Sequence, residues 1–335
     1  MQILLSCAKD MATKPITFPN ERASEPHFIA AAQEIAAEMM NFSTEELEET
    51  LKINSKPANQ NWLRYQHFLQ AGDTSHAALA FTGMAYKHLK ASSFNQEDIS
   101  FANQHLWITS FLYGLLRPLD AIKPHRLEGY VRLQNHDDIR LFDYWKSRLT
   151  QLFIQSINDD NGMLAYLASE EMKSLFDWNE VKKKVKIFEP QFMVENARGR
   201  KTIVVYTKMC RGAMANYIIK NKIANTDDLL AFEYEGFKFA EWIDNGKTPR
   251  FDFVGFSMTI KNVHIIYMLK PSRLLIFRGL CKTPPQGSFR RGNLLKSSRL
   301  FPLSYLFQKN QYKCDIVPSL PTGLCGIEPV EHAPV

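Results

Sequence analysis

Charged side chains are concentrated in one otherwise apolar stretch of the sequence. Residues 112–129 read LYGLLRPLDAIKPHRLEG, in which charges alternate with leucines. Arg117 and Arg126 can each grip a phosphate or carboxylate group through a planar guanidinium. Asp120 and Glu128 are placed to orient those guanidinium groups. The stretch therefore predicts an anion site, and the alternative is a buried ion-pair network that pins a loop between helices.

The same region also allows a helix-hairpin-helix, an element that points backbone N–H groups at a DNA phosphate. Residues 99–112 would form its first helix, and Tyr113, Gly114 and Leu115 would form the hairpin. The hairpin contains one glycine rather than two, so the pattern indicates this element only weakly.

Two polar side chains follow the first apolar run of the chain. Gln2 to Ser6 reads as a short buried strand, and Lys9 comes shortly after it in the motif LLSCAKD. A strand end delivers side chains to the edge of a sheet, and so to a cleft. Ser6 and Lys9 are therefore candidate binding residues, and the alternative is a turn hydroxyl beside a solvated lysine.

Two more motifs place polar residues at the ends of elements. In LASEEMK, residues 167–173, Ser169 either caps a helix or marks a helix N-terminus that faces an anion. In YTKMCRGAM, Lys208 and Arg211 follow a predicted strand at 202–206 and open a helix. That position suits close approach to a phosphate, and a solvated basic turn is the alternative.

The cysteines and histidines do not indicate a metal or disulfide site. Five cysteines are an odd number and form no C-x-x-C pair, and the nine histidines are dispersed. P-loop, dinucleotide, zinc-protease and serine-hydrolase motifs are missing from the sequence. We therefore expect neither a metal nor a cofactor. Cys210, beside Lys208 and Arg211, could have a lowered pKa and act as a redox thiol, or else be buried and inert.

The pattern of apolar residues predicts a mixed α/β (α+β) fold. Helical spacing dominates up to about residue 160, and Ser43 with Glu46 forms a capping box in front of an amphipathic helix. Farther along, short runs rich in β-branched and aromatic residues are separated by turn signals, as strands are. A helix is expected again at 211–222.

Composition divides the chain near residue 255. Residues 1–255 hold 30 basic and 32 acidic groups, whereas residues 256–335 hold 11 basic and 3 acidic groups and half of the prolines. We therefore expect one domain at 1–255 and a basic, proline-rich, poorly ordered extension at 256–335. No apolar stretch approaches the roughly 20 residues that cross a bilayer, and the first residues do not resemble a signal peptide, so a cytoplasmic location is expected.

Six motifs, taken in order along the chain, resemble those of the YaaA family of bacterial peroxide-stress proteins. The similarity runs through S-x-A-K at 6–9, FTGMAYKHL at 81–89, LYGLLRPLDAIKPHRLE at 112–128, LASEEMK at 167–173, KMCRGAM at 208–214 and EGFKF at 235–239. The sequence departs from the family at Cys7, where many members have proline, and at His125, where tyrosine is common. Cys7 is therefore not expected to be a redox centre that the whole family needs.

The resemblance implies a compact α/β fold with a positively charged cleft and a helix-hairpin-helix element. It also implies a cytoplasmic role in oxidative stress, in which the protein binds double-stranded DNA and limits free iron, and hence Fenton damage, under hydrogen peroxide. The cleft residues that it implies are Ser6, Lys9, Arg117, Asp120, Arg126, Glu128, Ser169, Lys208 and Arg211.

Two other functions are alternatives for the same residues, and the first fits them better than the second. An enzyme acting on a small phosphate- or carboxylate-bearing metabolite would use the same cleft. Direct iron ligation is not favoured, because the set is rich in cations and poor in histidine and cysteine ligands. Basic runs at 182–186 and 198–201 are expected to be solvated faces that could also contact phosphates.

Overall fold

The computed structural model of the chain describes residues 1–243 and 250–256. The α-helices are α1 (Ile29–Met39), α2 (Thr44–Leu51), α3 (Ser55–Gln66), α4 (Ala77–Ala80), α5 (Met84–Leu89), α6 (Gln96–His105), α7 (Leu141–Asn158), α8 (Trp178–Lys184) and α9 (Val204–Asn221). The strands are β1 (Gln2–Leu5), β2 (Ser75–His76), β3 (Leu106–Ser110), β4 (Gly114–Leu116), β5 (Ala121–Ile122), β6 (Arg132–Leu133), β7 (Ile139–Arg140), β8 (Met163–Leu167), β9 (Lys186–Phe188), β10 (Pro190–Asn196), β11 (Gly199–Thr202), β12 (Glu233–Tyr234), β13 (Phe237–Ile243) and β14 (Arg250–Phe256). Short 3₁₀-helices lie at Ala91–Ser93, Gln134–His136, Glu170–Leu175 and Asp228–Ala231. The predicted mixed α/β fold is confirmed.

One sheet has the strand order β4-β3-β1-β8-β9. In it β1 runs parallel to β3 and to β8, β9 runs parallel to β8, and β4 is antiparallel at the edge. Every side chain of β1 is buried, which is typical of a parallel strand covered on both faces. Because β1 and β8 are parallel neighbours, the residues that follow them, among them Ser6 and Ser169, emerge at the same edge of the sheet.

A second sheet has the strand order β11-β10-β14-β13-β12. Its core is aromatic: Phe192, Phe237 and Phe253 are each at most 2% exposed. Phe232, which precedes β12, packs its ring edge against Phe253, with 5.9 Å between the ring centroids. At the edge of this sheet, β11 leads directly into α9, so the sheet sets where α9 begins.

Helices α5 and α9 pack closely together because of one glycine. A Cβ atom built on Gly212 of α9 would lie 1.8 Å from the carbonyl oxygen of Ala85 in α5. A second close approach joins α5 to the segment after β1, since a Cβ on Gly83 would lie 2.6 Å from the Cβ of Ala8. These two glycines therefore bring three distant parts of the chain together.

The capping box predicted from Ser43 and Glu46 is confirmed at the start of α2. The Ser43 hydroxyl accepts a hydrogen bond from the Glu46 N–H at 3.2 Å, and the Glu46 carboxylate accepts one from the Ser43 N–H at 2.7 Å. Each side chain satisfies a backbone donor that the first helical turn leaves unpaired.

The single helix predicted over residues 99–112 is wrong. Helix α6 ends at His105, and Leu106–Ser110 forms strand β3. Gly114, with a φ of 72°, then opens β4, which pairs antiparallel with β3. Residues 99–112 therefore do not form the first helix of a helix-hairpin-helix. Apolar spacing failed here because a short, fully buried run looks alike in a strand and in a helix.

The boundary predicted before the last long helix is also wrong. The strand predicted at 202–206 ends at Thr202, and α9 begins at Val204 rather than at residue 211. Val204 and Val205 are exposed, although β-branched residues favour strands. Lys208 and Arg211 consequently lie within a helix and not at its start.

The extension predicted at 256–335 lies outside the described residues, apart from Phe256 at the end of β14. The division of the chain near residue 255 therefore stays a prediction. Within 1–243 and 250–256, no helix is both long and apolar enough to span a membrane.

Candidate functional site

A cleft of about 400 Å³ lies at the carboxyl ends of β1 and β8. Its polar and charged lining residues are Ser6, Lys9, Asp10, His125, Arg126, Glu128, Ser169, Glu171, Lys208 and Arg211. Its remaining lining residues are Leu5, Cys7, Ala8, Phe81, Gly83, Met84, Ala85, Tyr86, Phe111, Leu127, Leu167 and Met172. The cleft therefore brings together all the predicted site residues except Arg117 and Asp120.

Two serines join the strand ends at the base of the cleft. The Ser169 N–H donates a hydrogen bond to the Ser6 Oγ at 2.8 Å, and the two hydroxyl oxygens lie 3.3 Å apart. The Tyr86 hydroxyl donates to the Ser6 carbonyl, and the Tyr166 hydroxyl donates to the Ser169 carbonyl. Ser169 precedes the 3₁₀-helix at Glu170–Leu175, but its side chain does not cap that helix. Ser169 therefore occupies the N-cap position, as predicted, without making the capping hydrogen bond.

An ion-pair group forms one side of the cleft. Lys9 Nζ lies 2.9 Å from Glu128 Oε1, and an Arg126 guanidinium nitrogen lies 3.6 Å from the same oxygen. The Glu128 side chain is 5% exposed, whereas the Lys9 side chain is 66% exposed. One buried carboxylate therefore faces two cations, and part of the positive charge on this side is balanced.

The backbone of Arg126 is held from behind by α3. Asn61 Nδ2 and the Tyr65 hydroxyl both donate hydrogen bonds to the Arg126 carbonyl, at 2.8 and 2.9 Å. Both side chains are almost completely buried. No short motif links α3 to the segment that contains Arg126, so sequence reasoning missed these two positioning residues.

Lys208 and Arg211 face the cleft from α9, three positions apart and so on one side of that helix. Neither makes a salt bridge within the part of the chain that the structure describes. Arg211 is partly buried, and its Nε is buried without a hydrogen-bond partner in that same part. Burial lowers the pKa of Arg211 from its ordinary value, because the loss of hydration disfavours the charged form. Glu170 and Glu189 lie near enough to Arg211 to favour its charge, but neither forms a salt bridge with it within the described residues. The α9 side of the cleft therefore carries positive charge that is only partly balanced.

Arg117 and Asp120 lie elsewhere, near the amino ends of β1 and β3. The Arg117 guanidinium stacks 3.3 Å from the centre of the Trp107 ring and donates hydrogen bonds to the Gln2 side chain and the Leu106 carbonyl. The Asp120 carboxylate accepts hydrogen bonds from the Arg117 N–H and, at 2.7 Å, from a serine hydroxyl. The expectation that these two residues share the cleft is corrected: β4 runs antiparallel to β3 and carries them to the opposite end of the sheet.

The two described cysteines are protonated thiols rather than reactive thiolates. Cys7 lines the cleft, and burial raises its pKa to about 12 in spite of a hydrogen bond with Thr109. Burial also raises the pKa of Cys210 to about 12. The lowered pKa considered for Cys210 is therefore wrong, because burial outweighs the cations beside it in sequence.

His125 lines the cleft as a neutral ring. Burial lowers its pKa to about 4, and its Nδ1 lies 2.9 Å from the Lys123 carbonyl oxygen. Among the residues that the structure describes, no three histidine, cysteine, aspartate or glutamate side chains are grouped so that they could hold a metal ion.

Several lining residues were missed although their motifs were recognised. Phe81, Met84 and Tyr86 belong to FTGMAYKHL, and Glu171 and Met172 belong to LASEEMK. From LASEEMK the sequence indicates Ser169 alone as a candidate, and FTGMAYKHL contributes no candidate. The motifs therefore marked the right segments of the chain. A sequence does not show, however, whether an apolar side chain lines a cleft or packs in the core.

The basic runs lie away from the cleft lining. Lys182, Lys183 and Lys186 are exposed around the end of α8, and Arg198 and Lys201 are exposed around β11. Two other basic residues of these runs form ion pairs: Lys184 with Glu180 at 2.7 Å, and Arg200 with Glu195 at 3.3 Å. The prediction of solvated faces is confirmed.

The fold and the cleft define a mixed α/β protein with a hollow at its strand ends that is lined by four basic and three acidic side chains. Residues 1–242 match the family model described as peroxide stress protein YaaA. A UPF0246 protein of Bacteroides fragilis is 46% identical over 257 residues, which cover 74% of this chain and 100% of the relative. A UPF0246 protein of Clostridium perfringens is 33% identical over 254 residues, which cover 74% of this chain and 98% of the relative. The chain therefore belongs to the peroxide stress protein YaaA family, and this membership supports a general role in oxidative stress.

Proposed function

We propose that the cleft binds a small molecule carrying a phosphate or carboxylate group, and that the protein acts through this ligand during peroxide stress in the cytoplasm. The main support is Arg211, a partly buried guanidinium whose Nε has no hydrogen-bond partner in the described residues. A partly buried cation without a direct salt bridge is costly, and a bound anion would offset that cost. Lys208, one turn away, adds a second charge to the same side.

The size of the cleft favours a metabolite over a nucleic acid duplex. Its volume of about 400 Å³ falls within the range of roughly 300–1,000 Å³ that is usual for small-molecule sites. A duplex is far wider than such a hollow, so only its outer phosphates could reach the mouth. Lys9, Glu128 and Ser6 bring an amine, a carboxylate and a hydroxyl to the same hollow, which are groups that enzymes use for proton transfer. Turnover of the ligand is therefore part of this proposal.

The test is thermal unfolding of the full chain with a panel of phosphate- and carboxylate-bearing metabolites. A true ligand at 100 times its Kd should stabilise the fold by about 2.7 kcal/mol. Arg211→Gln should about halve this effect at the same ligand concentration, and Lys186→Ala, a change at an exposed lysine outside the cleft, should preserve it. A panel without a single stabilising anion would count against the proposal.

Binding of double-stranded DNA is the second candidate function. Its support is the set of exposed, unpaired basic side chains around α8 and β11, namely Lys182, Lys183, Lys186, Arg198 and Lys201 among the described residues. Such contacts are dominated by phosphates, so affinity should fall steeply, by about 10³-fold or more, between roughly 50 and 200 mM salt. Less Fenton damage and a lower level of free iron in peroxide-treated cells would be the cellular consequence.

A mobility-shift titration separates the two candidates. Changing Lys182 and Lys183 together to alanine should weaken binding to duplex DNA and leave stabilisation by metabolites unchanged. Arg211→Gln should do the reverse. DNA binding that survives both variants and high salt would argue against phosphate contacts on this surface.

A further inference from the structure

We propose that the ligand of the cleft is an anion that also carries a flat ring, as a nucleoside monophosphate or an aromatic carboxylate does. This inference rests on the proposed function, and it adds a second requirement to the anionic group. The lining of the cleft contains two kinds of side chain, charged and apolar, and one ligand has to satisfy both.

The anionic group is expected beside α9. Lys9 and Arg126 already face the buried Glu128 carboxylate, at 2.9 and 3.6 Å. Lys208 and Arg211 have no such partner within the described residues. An incoming anion therefore gains most beside α9, where it meets cations that form no salt bridge within the described residues.

The ring is expected against the apolar side. Phe81, Met84, Tyr86, Phe111 and Met172 all line the cleft. The Tyr86 hydroxyl is already bonded to the Ser6 carbonyl at 2.9 Å, so a ligand can meet only the ring of this largely buried residue. The Phe81 and Tyr86 rings lie 5.2 Å apart between centroids. Aromatic rings and thioethers pack favourably on a flat ring, and an extended apolar wall is what such a ligand would cover.

The volume of the cleft also argues against a bare inorganic anion. A hollow of about 400 Å³ is of the size that holds a whole metabolite. A phosphate ion beside Arg211 would leave most of the apolar lining uncovered, whereas a ring attached to the same anion would remove that surface from water.

The test is calorimetric titration of the full chain with inorganic phosphate, adenosine, adenosine monophosphate, phenyl phosphate and benzoate. At least one of the three ring-bearing anions should bind about tenfold or more tightly than inorganic phosphate and than adenosine, which is a difference of about 1.4 kcal/mol. Arg211→Gln should lower that affinity by about tenfold, and Lys208→Ala serves as the second charge variant if Arg211→Gln does not fold. Met84→Ala should weaken binding of the ring-bearing anion and leave the binding of phosphate unchanged.

Each other outcome overturns a separate part of the inference. If inorganic phosphate binds as tightly as every ring-bearing anion, the ring requirement is wrong while the anion-binding function stands. If adenosine binds as tightly as adenosine monophosphate and neither charge variant has an effect, the assignment of the anion to α9 is wrong. If none of the anions binds and the metabolite panel also fails to stabilise the fold, the proposed function fails with it.

Discussion

The ammonium group of Lys9 lies 2.9 Å from a carboxylate oxygen of Glu128, and this pair joins the segment after β1 to the segment after β5. Glu128 is almost fully buried, whereas Lys9 is largely exposed. The same carboxylate also faces Arg126, so it limits the positive charge on that side of the cleft. One buried acid therefore balances the charge on this side of the cleft.

Replacing that acid should strengthen anion binding. Glu128→Gln removes a negative charge beside the ligand, so affinity for the anion identified in the titrations should rise by about three- to tenfold, or roughly 0.7–1.4 kcal/mol. The free energy of unfolding should change by no more than about 1 kcal/mol, because water screens the exposed Lys9. Calorimetry and urea unfolding measure the two effects, with the exposed Glu49→Gln as the matched control. A fall in affinity for Glu128→Gln would show that the carboxylate supports the ligand instead of opposing it.

Stability should fall as the pH is lowered, because His125 is buried as a neutral ring. Its pKa is about 4 in the folded protein and 6.5 in the absence of burial, so the unfolded chain binds more protons between these values. The stabilising contribution is full above pH 6.5 and is lost as the pH falls toward 4, by about 3 kcal/mol in all. Urea unfolding at a series of pH values measures the slope. His125→Gln should flatten it across this window, and identical slopes for the two proteins would contradict the prediction.

Peroxide should not react quickly with either described cysteine. With a pKa near 12, Cys7 and Cys210 are almost entirely protonated at neutral pH, and the thiolate is the reactive form. Peptide mass spectrometry after brief treatment with hydrogen peroxide should find both unmodified in the folded protein and oxidised once urea has unfolded it. Cys7→Ser should keep anion binding. Sulfenic acid at Cys7 in the folded protein would be the contrary result.

The contact between α5 and α9 should not tolerate a methyl group. Gly212→Ala places a Cβ 1.8 Å from the Ala85 carbonyl oxygen, so the two helices have to separate. Overpacking of this kind costs about 1–3 kcal/mol of unfolding free energy, which urea titration detects. Gly72→Ala is the control, since a Cβ there would have no heavy atom within 4 Å, and its effect should stay within about 0.5 kcal/mol. Equal effects of the two substitutions would disprove the close-packing account.

Local features of the chain were predictable because their causes are local. The capping box at Ser43 and Glu46 and the buried strand β1 each depend on a few neighbouring residues. The predicted site residues Ser6, Lys9, Arg126, Glu128, Ser169, Lys208 and Arg211 all reach one cleft. Ser6 and Ser169 follow neighbouring parallel strands, whose ends share an edge, whereas Lys208 and Arg211 reach the cleft from within α9.

The sequence by itself therefore determined the mixed α/β class, seven of the ten polar and charged residues of the cleft, and membership of the family. Only the tertiary structure decided which charges meet. The reversal at Gly114 carried Arg117 and Asp120 away from the cleft, and Glu128 balanced Lys9 and Arg126 while Arg211 kept its charge unpaired within the described residues. The reason is physical: periodicity and capping act over a few residues, whereas strand order and ion pairing join segments that are far apart in the chain.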